Sequence, residues 1–273
     1  MSDVLAAQVA DSRRRLEEAR AQEGLAQLRA RALQVAAPPS FRAALAGPGV
    51  ALIAEVKRGS PSRGPLAPDL DAVATARAYR EGGAAAVSVL TAPLGFAGSL
   101  ADLSDVAATG VPTLRKDFLV DPYQVWEARA AGAAAVLLLA VVLDDTELRT
   151  MLSAVEEAGI DALVEVHDEA EMARVAALDP GIAPAVVGVN VRDLRDFSVE
   201  QGRFAQVAGG RPSGAVLVAE SGVHGPADVV DYAAAGADAV LVGEHLVTSG
   251  DPAAAARALV SAGLRGTDGG VDR

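Results

Sequence analysis

The chain has 273 residues, a formal net charge of −12, 51% hydrophobic and 3% aromatic residues, and no cysteine. That length suits one closed α/β barrel of about 250 residues, with a core of Ala, Val and Leu rather than large rings. The acidic balance excludes nucleic acid as the main partner, the lack of cysteine excludes disulfides, thiolate nucleophiles and cysteine-held metal centres, and three scattered histidines offer no metal cage, so no metal is expected.

The N-terminus lacks the apolar segment of a secretory signal, and no apolar run reaches about eighteen residues; a cytoplasmic protein without a membrane segment is expected. Residues 1–45 carry two helical stretches, 4–23 and 25–36, which read as a solvated extension or an oligomer contact at least as readily as a direct part in the chemistry. The expected assembly state is a monomer or a weak homo-oligomer.

Short apolar runs then recur at 52–57, 86–90, 112–116, 135–139, 162–166, 186–190, 216–220 and 239–243. Their near-continuous apolar character fits parallel strands covered on both faces. Amphipathic stretches such as 70–81, 122–131, 145–158 and 227–235 lie between them, several opening with Asp or Pro. Gly83, Gly110, Gly132, Gly159 and Gly236 each end an Ala-rich helix just before a strand, as helix C-caps. Eight βα units, with no G-x-G-x-x-G turn after the first strand, predict a TIM (β/α)8 barrel with an N-terminal helical extension. The expectation is one domain over 1–273, with a disordered Gly- and Asp-rich tail from 264.

In such a barrel the active site lies at the C-terminal ends of the strands, so polar residues that close apolar strands are catalytic candidates. Glu55 and Lys57 close the first strand, Lys116 the third, Glu165 the fifth, Asn190 the sixth, and Glu220 with Ser221 the seventh. Alternation puts Glu55 and Lys57 on one face of their strand. Of the 24 Lys and Arg residues, Lys57 and Lys116 are the only lysines, and Asn190 is the sole asparagine. A guanidinium cannot give up a proton near neutral pH, whereas burial can tune an ammonium into a general acid.

Ser221-Gly222 and Gly243-Glu244 follow the last two strands, where barrels often hold a phosphate on backbone amides. The segment 59–64 mimics the opening of a nucleotide P-loop, but Pro65-Leu66 stands where Lys-Ser/Thr is required. It is read instead as a mobile loop whose hydroxyls Ser60 and Ser62 reach substrate. His167 reads as a helix-start residue rather than a catalyst, and Trp126 as packing; Arg192 is open between ion-pair partner and site residue.

The segments 53–64, 87–91, 114–124, 163–168, 188–194 and 219–222 resemble, in order, the signatures of indole-3-glycerol phosphate synthases. The resemblance spans roughly residues 40–255. It implies a TIM-barrel lyase of tryptophan biosynthesis acting without a cofactor on a small sugar phosphate. The implied substrate is 1-(2-carboxyphenylamino)-1-deoxyribulose 5-phosphate, which closes to indole-3-glycerol phosphate with loss of carbon dioxide and water. By position, Lys116 would be the general acid for ring closure and Glu165 the base for dehydration. Lys57 would hold the anthranilate carboxylate and serve as second proton donor, oriented by Glu55 and Asn190. Glu220, Ser221, Ser60, Ser62, Phe118 and Arg192 would line the site, and amides at Gly222, Gly243 and Glu244 would hold phosphate. His245, Val247 and Val191 depart from the family pattern at the phosphate loop and the end of strand six, which bears on affinity more than on reaction type. Two rivals are a phosphoribosylanthranilate isomerase-like barrel, against which the lysine pair argues, and a non-catalytic phosphate-binding paralogue.

Overall fold

All eight apolar runs become parallel strands, and each pairs with its neighbours in the chain. In the computed structural model, which describes residues 2–179, 181, 184–193 and 198–265, they are β1 (Ala51–Val56), β2 (Ala86–Leu90), β3 (Thr113–Lys116), β4 (Ala135–Leu139), β5 (Asp161–Val166), β6 (Val186–Asn190), β7 (Val216–Glu220) and β8 (Ala239–Val242). β8 pairs back onto β1, Ala51 opposite Ala239, and closes the barrel. β3 starts one residue later than the sequence suggests because Pro112 has no N–H to give the ladder, although its carbonyl accepts from Val87 N at 2.9 Å.

Helices fill the crossovers: α1 (Asp3–Gln22), α2 (Leu25–Gln34) and α3 (Phe41–Leu45) precede the barrel. α4 (Ala72–Glu81), α5 (Leu100–Ala107), α6 (Pro122–Ala130), α7 (Asp145–Ala158), α8 (Glu169–Ala176), α9 (Gly202–Ala208), α10 (Pro226–Ala234), α11 (Glu244–Val247) and α12 (Pro252–Arg265) follow. Asp71, Asp121, Asp144 and Asp168 cap their helices by accepting first-turn N–H groups, each cap contributing about 1 kcal/mol. The five recurring glycines all take the left-handed conformation, with φ between 66° and 93°. Residues 264 and 265, expected in a disordered tail, instead form the last turn of α12, because Ala- and Leu-rich sequence carries the helix on to Arg265; from 266 on, the expected tail lies outside the described residues.

Alternation along each strand separates two apolar cores. Leu52, Ala54, Val87, Val89, Val136, Leu138, Val164, Val187 and Val189 face the helices. Ile53, Leu114, Leu137, Leu163, Val186, Val218 and Leu241 fill the barrel interior. Phe41 and Leu45 of α3, a helix not foreseen from sequence, join this inner core and close the N-terminal mouth of the barrel.

The extension is bolted to the barrel rather than solvated. Arg15 of α1 makes a two-pronged ion pair with the fully buried Asp117, at 2.8 and 3.0 Å, beside Lys116. Asp117 also accepts from Thr91 at 2.7 Å and from the buried Arg115 at 3.3 Å. Tyr123 of α6 donates to the carbonyls of Ala19 and Glu23, and Gln124 donates to Ser12. Trp126 is buried in α6 with the Arg29 guanidinium 4.7 Å from its ring centre, the packing role read from sequence.

Candidate active site

Side chains of inward parity at the C-terminal strand ends converge on one cavity of about 200 Å³. Glu55, Lys57, Lys116, Glu165, Asn190 and Glu220 all line it, so the polar candidates share one space. Lys57 Nζ lies 2.9 Å from Glu55 Oε1. Lys116 Nζ sits between Glu220 Oε2, at 3.4 Å, and Glu165 Oε2, at 3.6 Å. Asn190 donates from Nδ2 to Glu165 Oε1 at 3.0 Å, and its Oδ1 accepts from Ser221 Oγ at 2.9 Å and from Arg192 N at 3.1 Å.

Two glycines make room for this cluster. A Cβ at Gly243 would stand 2.5 Å from Glu55 Oε1 and 3.1 Å from Lys57 Nζ, and one at Gly188 would stand 2.1 Å from Glu220 Oε1. The carboxylates rest directly on backbone.

Electrostatics separate the groups. Burial disfavours charge on Lys116, but Glu220, Glu165 and Glu55 outweigh it and hold the ammonium protonated well above the usual lysine range. Burial also opposes ionisation of Glu165, yet Lys116, His167 and Asn190 hold its pKa well below the carboxylate range. Glu55, despite burial, is likewise held down by Lys57 and Lys116. Burial and the neighbouring Glu165 charge push Glu220 up to about 8. The two neighbouring carboxyls are thus pushed in opposite directions, the divergence from which acid and base roles arise. Glu165 Oε2 and both Glu220 oxygens have no hydrogen-bond partner among the described residues, although they are buried. Glu165 Oε2 and Glu220 Oε2 have the Lys116 ammonium as their charged neighbour instead.

The loop after β1 is a small hairpin in which Gly59–Ser60 pairs antiparallel with Gly64–Pro65. Its Ser60 and Ser62 line the cavity with their hydroxyls 3.3 Å apart, and Arg63 reaches Glu244 at 2.5 Å. Beyond β7, Ser221 and Gly222 take successive left-handed conformations, with φ of 71° and 75°. Their carbonyls are tied from outside the pocket: Tyr232 OH donates to Ser221 O at 3.1 Å and Gln201 Nε2 to Gly222 O at 2.6 Å.

The family model for indole-3-glycerol phosphate synthase matches residues 5–259. The chain belongs to this family. The indole-3-glycerol phosphate synthase of Mycobacteroides abscessus is 52% identical over 240 residues, covering 88% of this chain and 87% of that protein. The enzyme of the same name from a Parafrankia species is 53% identical over 240 residues, covering 88% of each chain. Among solved structures, 3-hexulose-6-phosphate synthase from Salmonella typhimurium superposes with a TM-score of 0.59 at 19% identity, over 80% of this chain and 100% of that one. Thiamine phosphate pyrophosphorylase from Pyrococcus furiosus gives 0.59 at 16%, over 83% and 99%. At such identities these two show the barrel alone.

The remaining residues expected for a family member, Phe118, Arg192, Ser221, Gly222, Gly243 and Glu244, line the same cavity. Val191, which departs from the family pattern, is fully buried against the outer core, where an apolar side chain fits. Sequence reading overlooked several contributors. Ser2, Val4, Leu5 and Gln8 of the N-terminal segment form part of the wall, and Phe96, with its ring 6.1 Å from Phe118, forms another part. Gln8 carried a signal, being a polar residue on the buried stripe of α1 that holds Leu5, Val9, Ser12 and Leu16. His167, read only as a helix starter, is that and also lies 3.3 Å from Glu165. Asp117 was hidden beside Lys116.

Proposed function

We propose that the barrel mouth carries out its family's reaction by the following division of labour. Membership makes the chain a carboxy-lyase of tryptophan biosynthesis that forms indole-3-glycerol phosphate. The ring carbon bearing the carboxylate attacks the ketone carbon of the deoxyribulose chain, because only then can carbon dioxide leave its bond pair to the ring. Lys116 gives a proton to the oxygen as it becomes an alkoxide; carbon dioxide departs. Glu165 then takes a proton from the closed ring while the hydroxyl leaves as water, with Lys57 as donor. Such paired acid and base placement contributes on the order of 10²–10⁴-fold per proton transfer.

One observation carries this reading: the Lys116 ammonium stands between the Glu220 and Glu165 carboxylates, at 3.4 and 3.6 Å, inside the cavity at the barrel mouth. Lys57, held by Glu55, is the cation for the anthranilate carboxylate, and Phe96, Phe118, Leu5 and Pro61 offer the apolar wall its ring needs. The Ser221-Gly222 turn and Gly243-Glu244 supply backbone amides for the phosphate, Arg63 offsetting the Glu244 charge. The protein acts in the cytoplasm as one domain, a monomer or weak homo-oligomer; among the described residues no helix is long and apolar enough to cross a membrane.

The test is turnover of purified protein with the carboxyphenylamino-deoxyribulose phosphate, followed by indole fluorescence and product mass. Indole-3-glycerol phosphate released with one carbon dioxide per substrate is expected. Binding without product identifies a non-catalytic paralogue, and turnover of phosphoribosylanthranilate alone identifies an isomerase; either outcome rejects the proposal.

A further inference from the structure

His167 stands one residue beyond β5 with a carboxylate against each ring nitrogen. Nε2 lies 3.3 Å from Glu165 Oε1, and Nδ1 lies 3.2 Å from Glu171 Oε2. A neutral imidazole owns one N–H and one lone pair, so in either tautomer one carboxylate would face a lone pair. The side chain is only 12% exposed, and water cannot relieve that conflict cheaply. Only the imidazolium offers a donor to both.

The far carboxylate is fixed by local sequence. Asp168 caps α8 by accepting from Glu171 N at 2.8 Å, and Glu171 Oε2 in turn accepts from His167 N at 2.8 Å. A helix-start motif therefore anchors a ring that leans on an active-site acid. On the near side, Glu165 Oε1 accepts a hydrogen bond from Asn190 Nδ2 and lies at ion-pair distance from His167 Nε2, which makes no aligned hydrogen bond among the described residues, whereas Oε2 has no hydrogen bond among them and faces Lys116. The two oxygens are not equivalent.

We infer that His167 is a positioning residue: through a Glu171–His167–Glu165 chain it pins Oε1 and so presents Oε2 of Glu165 as the oxygen that takes the proton. The inference rests on Glu165 being the base. The other charges that act on Glu165 and on its Lys116 partner are Lys116 from β3, Glu220 from β7 and Glu55 from β1. Burial opposes the imidazolium, but Glu165 and Glu171 outweigh it and push His167 up to about 10, so the cation persists through the working range.

The experiment compares His167→Ala, His167→Gln, Glu171→Gln and Glu165→Gln in kcat, KM and pH profile, with folding checked by circular dichroism. His167→Ala is expected to lower kcat at least about tenfold with KM within about twofold, and to move the acidic limb of kcat upward by about one pH unit, since Glu165 loses a cation. His167→Gln, which keeps a donor without the charge, should regain part of kcat but keep the shifted limb. Glu171→Gln should give a smaller loss that does not add to that of His167→Ala. A lost Tm with kcat and pH limb unchanged, or a defect confined to KM, overturns the positioning role. Unchanged His167 variants alongside an inactive Glu165→Gln overturn it while leaving the base in place; an active Glu165→Gln overturns both.

Discussion

Replacing Gly243 by alanine adds one methyl at the point where the Glu55–Lys57 pair rests on backbone. The residue has φ −119° and ψ −71°, so an L side chain meets no left-handed strain there. Its Cβ would lie 2.5 Å from Glu55 Oε1 and 3.1 Å from Lys57 Nζ. An ordinary contact requires the carboxylate to retreat by roughly 0.5–1 Å, and Glu55, buried and held by Lys57, has little room to do so. Overpacking of this kind costs about 1–2 kcal/mol of stability. Displacing a substrate-holding group by about 1 Å lowers turnover by about 10- to 100-fold. Steady-state kcat and KM, with inorganic phosphate as competitive inhibitor, separate two explanations of the glycine. If it serves the ion pair, kcat falls and the phosphate inhibition constant stays; if it only admits phosphate to the backbone, KM and the inhibition constant rise while kcat holds. Wild-type kcat in Gly243→Ala would refute the reasoning.

Tyr232→Phe removes the hydroxyl that ties Ser221 O, so the phosphate-side turn should loosen; KM is expected to rise about fivefold with kcat nearly unchanged, a loss of about 1 kcal/mol of hydrogen bonding read by the same assay. Arg15→Met leaves Asp117 buried with Arg115 as its one remaining cationic partner; a loss of about 3 kcal/mol is expected in urea unfolding. Stability should also depend on pH in a defined direction. His167, raised from 6.5 to about 10 in the folded state, binds its proton more tightly there than when unfolded, so its stabilisation is complete below about pH 6.5 and is lost as pH rises through about 10. Glu220, raised from 4.5 to about 8, acts in the same sense across its own lower window. The urea midpoint should therefore fall between pH 6.5 and 10, and His167→Ala should flatten that fall; an unchanged slope in the variant would show that the imidazole is not protonated in the folded protein.

The barrel was legible because parallel strands buried on both faces must be apolar runs, and because glycine ends the helices before them. The acids and amines were legible because a charge closing such a run has only the cavity to enter, as Glu165 and Lys116 illustrate. What escaped depends on pairing distant in sequence. Nothing in the local pattern ties Arg15 to Asp117, and α1 looked like an appendage although Leu5 and Gln8 form part of the pocket wall. Phe96 escaped because the search at strand ends was for polar residues, while an aromatic ring needs an apolar wall. His167 escaped for a subtler reason: its helix-start role is real, and a residue that satisfies one local rule gives no sign of a second contact. The need for Gly188 was equally hidden, since only the fold brings Glu220 Oε1 to within 2.1 Å of where its Cβ would be.

Lys116→Arg tests the central assignment most directly. It keeps the positive charge between Glu165 and Glu220 but replaces a compact ammonium, able to hand its proton to a developing alkoxide, with a delocalised guanidinium that is a far poorer proton donor. Turnover of the carboxyphenylamino-deoxyribulose phosphate should fall at least about a hundredfold with the circular dichroism spectrum and unfolding midpoint preserved. Turnover near that of the unsubstituted protein would mean that a different group protonates the carbonyl oxygen.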